Sequence, residues 1–157
     1  MLHPIIFLDI DGVLNDHTLD AESESSTLLP RCVKQFNRIL IATDARVVLI
    51  SAWRYMVLNG AMTLSGMDYL LRTHGVIKGR LIGTTRLDWD TEAKTERSRQ
   101  VTAWRVMHDP NRNHKRLVID NDDFGYLGEG HHFLQTDGKI GLTTNDAEDA
   151  IKTLAGV

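Results

Sequence analysis

The sequence predicts an α/β domain in which helices flank a mainly parallel central sheet. Three continuous apolar runs, within residues 5–8, 47–50 and 117–119, are typical of strands that are buried on both faces. Between these runs, apolar residues recur at helical spacing. A chain of 157 residues is long enough for one such domain with its own core, so we assign residues 1–157 to a single domain.

The first predicted strand, residues 5–8, is followed by two carboxylates, Asp9 and Asp11, and then by Gly12. Residues two apart point the same way in an extended chain, so both acids leave the carboxyl end of the strand together, where open α/β sheets bind ligands. Two bare carboxylates repel each other there, and a hard cation such as Mg²⁺ removes that repulsion. The alternative is an ordinary solvated Asp-x-Asp-Gly turn.

A polar loop and a helix come next. Residues 16–27 are polar and acidic, which predicts a loop, and residues 29–43 carry apolar side chains at helical spacing, with Pro30 in the first turn. Cys32 lies inside this helical pattern, which indicates a small core residue rather than a nucleophile. It is the chain's one cysteine, which suits a reducing compartment.

The second predicted strand, residues 46–50, runs into Ser51 and a helical stretch. A serine at this position can donate to a phosphate oxygen while the helix N-terminus adds free N–H groups; the alternative is that Ser51 only caps the helix. Arg54 suits two parallel hydrogen bonds to a phosphate, or else is a surface charge. The candidate substrate-binding residues are Gly12, Ala52, Trp53 and Arg54.

The middle of the chain predicts a helix over residues 56–75, ended by Gly75, and a third strand over residues 80–84. A further helix is expected over residues 91–107. Its first turns carry three cations, Lys94, Arg97 and Arg99, and its buried side carries Val101 and Trp104.

A second acidic cluster follows the apolar run 116–119 and consists of Asp120, Asn121, Asp122 and Asp123. Three acids in four positions are unfavourable without a cation, so we expect a metal shared with the first strand; the alternative is a solvated acidic turn. Asp120 comes directly after the strand. The other three are second candidates, acting through water or through hydrogen bonds to the direct ligands.

The last part of the chain predicts a short strand over residues 132–135 and a final helix. Asn145, with Glu148 three residues later, fits a capping box at the start of that helix.

Composition and charge restrict the class of protein. The net charge is −3, which gives no global signature of nucleic-acid binding. No apolar stretch approaches the length of a membrane span, and the N-terminus lacks the basic region of a signal peptide. We therefore expect a cytoplasmic protein without a membrane partner.

The segment from Phe7 to Asn15 resembles motif I of the haloacid dehalogenase (HAD) superfamily, an apolar strand followed by D-x-D-G. The resemblance implies that Asp9 is a nucleophile that accepts a phosphoryl group and that Asp11 is the general acid and base of the phosphatase branch. Ser51 then matches motif II, and Asp120 matches the metal-binding Asp of motif IV. Motif III is less clear: Arg97 fits, and Lys94 and Arg99 are its rivals.

The order and spacing of the motifs resemble one smaller group, the HAD domains of Swiss Army Knife RNA repair proteins. The segments that match this group are D-x-D-G-V-L-N at 9–15, S-x-W-R at 51–54, Arg97 with Trp104, and I-D-x-D-D at 119–123. It implies a Rossmannoid HAD-like domain with a minimal cap or none, formed at most by the segments 16–28 and 55–90.

The resemblance also implies an activity. We expect an Mg²⁺-dependent phosphomonoester hydrolase with an aspartyl-phosphate intermediate, acting on a nucleotide or a nucleic-acid terminal phosphate. The alternatives are a phosphatase of a small metabolite or a phosphoprotein, and a catalytically idle HAD-like module that binds phosphate. An approach for the substrate would be lined by the cations Arg54, Arg72, Lys78, Arg80 and Arg86, although the net charge is unfavourable for a polyanion.

Overall fold

A computed structural model describes residues 2–16, 27–86 and 96–156 and shows five parallel strands in the order β3-β2-β1-β4-β5. The strands are β1 (Ile5–Leu8), β2 (Arg46–Leu49), β3 (Leu81–Thr84), β4 (Arg116–Asp120) and β5 (Phe133–Gln135). The helices are α1 (Pro30–Thr43), α2 (Tyr55–Leu58), α3 (Leu64–Thr73), α4 (Glu96–His108) and α5 (Thr144–Ala155), with a 3₁₀ turn at Ala52–Arg54. The predicted α/β architecture is confirmed.

Strand β1 lies at the centre of the sheet, and all four of its residues are buried. Phe7 aligns with Val48 of β2 on one side and with Val118 of β4 on the other. At the carboxyl end of the strands, the backbone N–H of Asp9 donates to the carbonyl of Ile119 at 2.9 Å. This register brings the ends of β1, β2 and β4 to one edge of the sheet, as the sequence predicted.

Alternate residues of β1 face two different clusters of apolar side chains. Ile6 and Leu8 join the larger cluster, which takes in buried residues of α1, α3 and α5. Ile5 and Phe7 join the smaller cluster, where the described helix is α4 through Val101. Within the described residues, α1, α3 and α5 therefore cover one face of the sheet, and α4 packs on the other face through Val101.

The predicted helix over 56–75 is in fact two helices, α2 and α3. Gly60, with φ of +80°, ends the first, and Thr63 caps the second because its hydroxyl accepts from the backbone N–H of Gly66 at 3.0 Å. The prediction that Gly75 ends the helix is confirmed: it has φ of +96°, and the N–H of Val76 donates back across the helix end.

The expected capping box at Asn145 and Glu148 is wrong. The helix begins two residues earlier, because Thr143 has the extended backbone of a cap and Asn145 already lies in the first turn of α5. The Thr143 hydroxyl accepts from the N–H of Asp146 at 3.2 Å, and the Asp146 carboxylate accepts from the N–H of Thr143 at 2.9 Å. Asp146 thus replaces Glu148 in the box.

The prediction allowed a cap within residues 55–90 at most, and the described part of this segment belongs to the body of the domain. Residues 55–84 contain α2, α3 and β3, and β3 pairs with β2 in the sheet. Met67 and Leu71 of α3 are buried in the core. Most of the other expected cap segment, residues 17–26, lies outside the described residues, as do residues 87–95. Among the described residues, no helix has the length and apolar character needed to cross a membrane.

Candidate active site

Two buried carboxylates, those of Asp9 and Asp120, lie at the carboxyl edge of the sheet, and both are within ion-pair distance of Arg97. Asp9 is 4% exposed and Asp120 is 0% exposed. Nη1 of Arg97, on the first turn of α4, is 3.3 Å from Oδ1 of Asp9 and 3.3 Å from Oδ2 of Asp120. One guanidinium therefore bridges the predicted nucleophile and the predicted metal ligand.

The charges in this cluster shift the pKa values of its members. Burial, followed by the charge of Asp120, raises the pKa of Asp9 above its usual range, and the charge of Arg97 opposes this. Burial alone would lower the pKa of Arg97, but the charges of Asp9 and Asp120 raise it overall. Arg97 thus stays charged, while ionisation of Asp9 is unfavourable without further positive charge.

The loop after β4 supplies further contacts to this cluster. The hydroxyl of Tyr126 donates to Oδ2 of Asp120 at 2.7 Å, and the backbone N–H of Asp122 donates to Oδ1 at 3.1 Å. Burial and the neighbouring Asp120 raise the pKa of Tyr126, so its hydroxyl keeps its proton. The guanidinium of Arg97 lies over the ring of Phe124, 4.7 Å from its centre. Sequence reasoning missed both aromatic residues, because an isolated aromatic in a loop carries no pattern.

The turn after β1 holds Asp11 at the exposed rim of the site. The side-chain amide of Asn15 donates to the Asp11 carboxylate at 3.0 Å, and its oxygen accepts from the N–H of Gly12 at 2.8 Å. Gly12 has φ of +81°, and its carbonyl accepts from the hydroxyl of Thr136 at 2.7 Å. The sequence places Asn15 in its motif but gives no sign of Thr136, which is 124 residues distant.

Ser51 shows the geometry of a helix cap. It is fully buried, and its hydroxyl oxygen accepts from the N–H of Trp53 at 3.2 Å. Trp53 is 9% exposed and meets the ring of His74 edge-on, so its side chain contributes to the core. Ala52 is exposed. Ser51 follows β2, which pairs with β1, and this order agrees with motif II; its contact with phosphate remains a prediction.

The guanidinium of Arg54 is buried and hydrogen-bonded within the protein, contrary to the prediction that its two NH₂ groups hold a phosphate. It is 2% exposed, and Nη1 donates to the carbonyls of Ile50 and Ser51. Nη2 donates to Gln100 of α4 at 2.9 Å. Burial, and then the charge of Arg97, lowers the pKa of Arg54 to about 10. Arg54 therefore connects the end of β2 to α4.

Of the three candidates for the motif III cation, Arg97 contacts both carboxylates. Arg99 is exposed and lines a cavity of about 860 Å³ between α4 and β3, beside Trp104. Lys94 lies outside the described residues. Arg80, expected along the substrate approach, instead pairs with Asp44 near the opposite edge of the sheet.

The donor set fits a hard cation of the Mg²⁺ type. The described residues contain no group of three or more His, Cys, Asp and Glu side chains suited to a metal. Mg²⁺ nevertheless needs only one or two carboxylates, with water and carbonyl oxygens completing its octahedron, and Asp9 and Asp120 supply two. Of the second candidates, Asp122 and Asp123 are exposed, and the backbone carbonyl of Asn121 accepts from Gln135 at 3.1 Å.

Comparisons with known proteins point to one family. A family model described as "HAD domain in Swiss Army Knife RNA repair proteins" matches residues 5–147, which include every site residue discussed above. A search of curated proteins found no match. The match confirms the resemblance inferred from the motifs.

Proposed function

The chain belongs to the family of HAD domains found in Swiss Army Knife RNA repair proteins, and on this premise we propose that it is an Mg²⁺-dependent phosphatase. Membership supports a hydrolase of the HAD type, with phosphatase as the expected activity. The observation that supports Mg²⁺ dependence and a reaction at Asp9 is the buried pair of Asp9 and Asp120, bridged by Arg97 at 3.3 Å from each.

In the proposed reaction Asp9 is the nucleophile. Its carboxylate attacks phosphorus, the ester oxygen leaves, and an aspartyl-phosphate forms on Asp9. Asp11, held at the rim by Asn15, gives its proton to the leaving oxygen. Asp11 then takes a proton from the water that attacks the aspartyl-phosphate, so that inorganic phosphate leaves and both carboxylates return to their starting states.

The other residues of the site stabilise charge. Asp9, Asp120 and the backbone carbonyl of Asp11 would hold Mg²⁺, which supplies positive charge to the carboxylates and to the phosphoryl oxygens when it is bound. Arg97 already lies within ion-pair distance of both carboxylates and is the nearest described cation for the transferring group. Ser51 is the proposed hydroxyl donor to the phosphoryl group, in keeping with its place beside β1.

The proposed substrate is a terminal phosphate on a nucleotide or a nucleic acid. The name of the family supports this choice, since its described members are RNA repair proteins. Arg86 and Arg99 line the cavity beside α4, and neither has an ion-pair partner among the described residues. Arg86 and Arg99 therefore give positive charge to a cavity beside α4, the helix that also carries Arg97.

One observation favours a second candidate, a catalytically idle module that binds a phosphorylated ligand. Asp9 and Ser51 are 4% and 0% exposed, and Arg97 already neutralises part of the pair, so the site resembles a closed ion-pair network. Turnover separates the two candidates, because an idle module releases no phosphate.

The first test is release of phosphate from an aryl phosphate with Mg²⁺ and with a chelator. We expect Mg²⁺-dependent turnover that Asp9→Asn abolishes, because an amide cannot attack phosphorus. Full turnover in the Asp9→Asn protein would contradict the mechanism. Arg38→Gln, a change at an exposed ion pair with Glu148, serves as the control.

The second test compares 3′- and 5′-phosphorylated oligonucleotides, mononucleotides and sugar phosphates at two salt concentrations. Preference for an oligonucleotide end that weakens as salt rises is the expected result, because phosphate contacts depend on salt. Equal rates on sugar phosphates without a salt effect would end the nucleic-acid proposal but not the phosphatase proposal.

A further inference from the structure

Two aromatic side chains between β4 and β5 contact Asp120 and Arg97, the residues described above beside Asp9. The hydroxyl of Tyr126 donates to Asp120 at 2.7 Å, and the ring of Phe124 lies 4.7 Å from the guanidinium carbon of Arg97. We name Phe124 and Tyr126 the aromatic pair. Tyr126 is 0% exposed, so its hydroxyl is removed from solvent and makes its hydrogen bond inside the protein.

Ring packing and a hydrogen bond connect the loop that carries the aromatic pair to the neighbouring elements. The ring of Tyr126 packs against Phe133 of β5 with ring centres 4.9 Å apart, and against Phe124 at 6.1 Å. Further along the loop, the ring of His131 hydrogen-bonds Thr102 of α4 at 2.9 Å. The loop therefore connects β4, β5 and α4, the elements that carry Asp120 and Arg97.

The Tyr126 hydroxyl and Arg97 meet the same oxygen of Asp120, but they act differently. Arg97 brings a full positive charge, which attracts the carboxylate and repels a second cation. The hydroxyl orients the carboxylate through a hydrogen bond and adds no net charge. A neutral donor is thus suited to holding a metal ligand in place, as hydrogen bonds behind metal ligands commonly do.

We propose that Tyr126 is a positioning residue that holds Asp120 in the orientation that binds Mg²⁺, and that Phe124 holds Arg97 in place beside it. This inference rests on the proposed function, since it takes Asp120 to be a metal ligand. Neither aromatic residue touches the reacting atoms. Tyr126 affects the affinity of the site for Mg²⁺, and Phe124 affects the position of the Arg97 guanidinium.

The test replaces Tyr126 by Phe, which keeps the ring and removes the hydroxyl. Titration calorimetry on the full chain without substrate measures Mg²⁺ binding directly. We expect the Mg²⁺ dissociation constant to rise by about 10-fold or more, the size of effect known for hydrogen bonds to metal ligands. Tyr69→Phe is the matched control, because Tyr69 loses the same hydroxyl from an exposed site on α3. A Tyr126→Phe constant within twofold of wild type would overturn the proposal.

Activity on an aryl phosphate separates this inference from the proposed function. For Tyr126→Phe we expect the Mg²⁺ concentration that gives half-maximal activity to rise, with kcat at saturating Mg²⁺ within about threefold of wild type. Turnover in wild type with unchanged Mg²⁺ binding in Tyr126→Phe would overturn the positioning role alone. Mg²⁺ binding that depends on Tyr126 in a protein without turnover would overturn the phosphatase alone.

A second measurement avoids any loss of folding in Tyr126→Phe. The chain has three tyrosines, so the double variant Tyr55→Phe, Tyr69→Phe keeps Tyr126 as its one tyrosine. With 3-fluorotyrosine incorporated, its fluorine resonance should shift as Mg²⁺ is added, because Asp120 changes its charge partner. A resonance that does not move at Mg²⁺ saturation would overturn the proposal.

Discussion

Removal of Arg97 tests the electrostatics of the site through stability alone. Arg97→Gln leaves the carboxylates of Asp9 and Asp120 together at 4% and 0% exposure. Truncating one partner of a buried ion pair costs about 3–5 kcal/mol, and the partial exposure of Arg97 reduces this to about 2–4 kcal/mol at pH 8. For a domain of this size the loss corresponds to about 4–16 °C in Tm.

The pH dependence distinguishes this mechanism from a general loss of packing. A carboxyl with a raised pKa in the folded state contributes stability at low pH and loses it as pH rises towards that pKa. Burial and Asp120 raise the pKa of Asp9, and removal of Arg97 raises it further. The variant should therefore be penalised more at pH 8 than at pH 5, where a proton on Asp9 replaces the missing charge.

Urea denaturation with a chelator at both pH values measures the difference, and Arg38→Gln is the control. The Arg38 pair with Glu148 is 3.5 Å long and about half exposed on both sides, so its loss should cost under about 1 kcal/mol at either pH. Equal destabilisation of Arg97→Gln at pH 5 and pH 8, or a loss below 1 kcal/mol, would refute the reasoning.

Three further predictions concern the scaffold. In urea denaturation, Thr143→Ala should cost about 1 kcal/mol and Asn145→Ala only a few tenths, because Thr143 accepts the capping hydrogen bond; equal losses would contradict the assignment of the cap. Gly141→Ala should cost at least about 1–2 kcal/mol in the same assay, because Gly141 has φ of +77° and a Cβ there would lie 2.7 Å from Sγ of Cys32; a neutral result would contradict this. Burial lowers the pKa of His131, so the unfolded chain binds one more proton than the folded chain, and stability should fall as pH drops through about 6.5. In Tm measurements over this pH range, His131→Gln should remove that pH dependence. An unchanged pH dependence in His131→Gln would show that another group causes it.

The centre of the site was predictable because its signals are local. The strand Ile5–Leu8 is a continuous apolar run, and two carboxylates follow it at once. The second acidic strand end, at Asp120, repeats the pattern. Parallel pairing then brings both ends to one edge of the sheet, and this step follows from the fold class alone.

The helical spacing in the sequence also distinguishes Arg97 from Arg99. Arg97, Val101 and Trp104 are spaced at i, i+4 and i+7, which places them on one face of α4. Val101 is buried against the sheet, so Arg97 is turned towards the strand ends. Arg99 is two residues away, nearly on the opposite side of the helix, and reaches the cavity instead.

Other features depend on contacts between distant segments and could not be read from local patterns. The sequences T-x-x-D at Thr143 and N-x-x-E at Asn145 both fit a capping box, and only the backbone distinguishes them. Burial of Arg54 depends on Gln100, which is 46 residues away. The hydroxyl of Tyr126 reaches Asp120 across a loop with no regular spacing.

The distribution of charge in the site links the proposed Mg²⁺ to the proposed nucleophile, Asp9. In the proposed reaction, attack requires an ionised Asp9, yet burial and the charge of Asp120 raise the pKa of Asp9, and the guanidinium of Arg97 contacts both carboxylates. Among the described residues, Arg54 also interacts with Arg97 and Asp9, but its NH₂ groups are directed to the carbonyls of Ile50 and Ser51 and to Gln100. Arg97 lies within ion-pair distance of both carboxylates, and in the proposed reaction a divalent cation held by Asp9 and Asp120 would add positive charge, lower the pKa of Asp9 and so favour the ionised form that attacks.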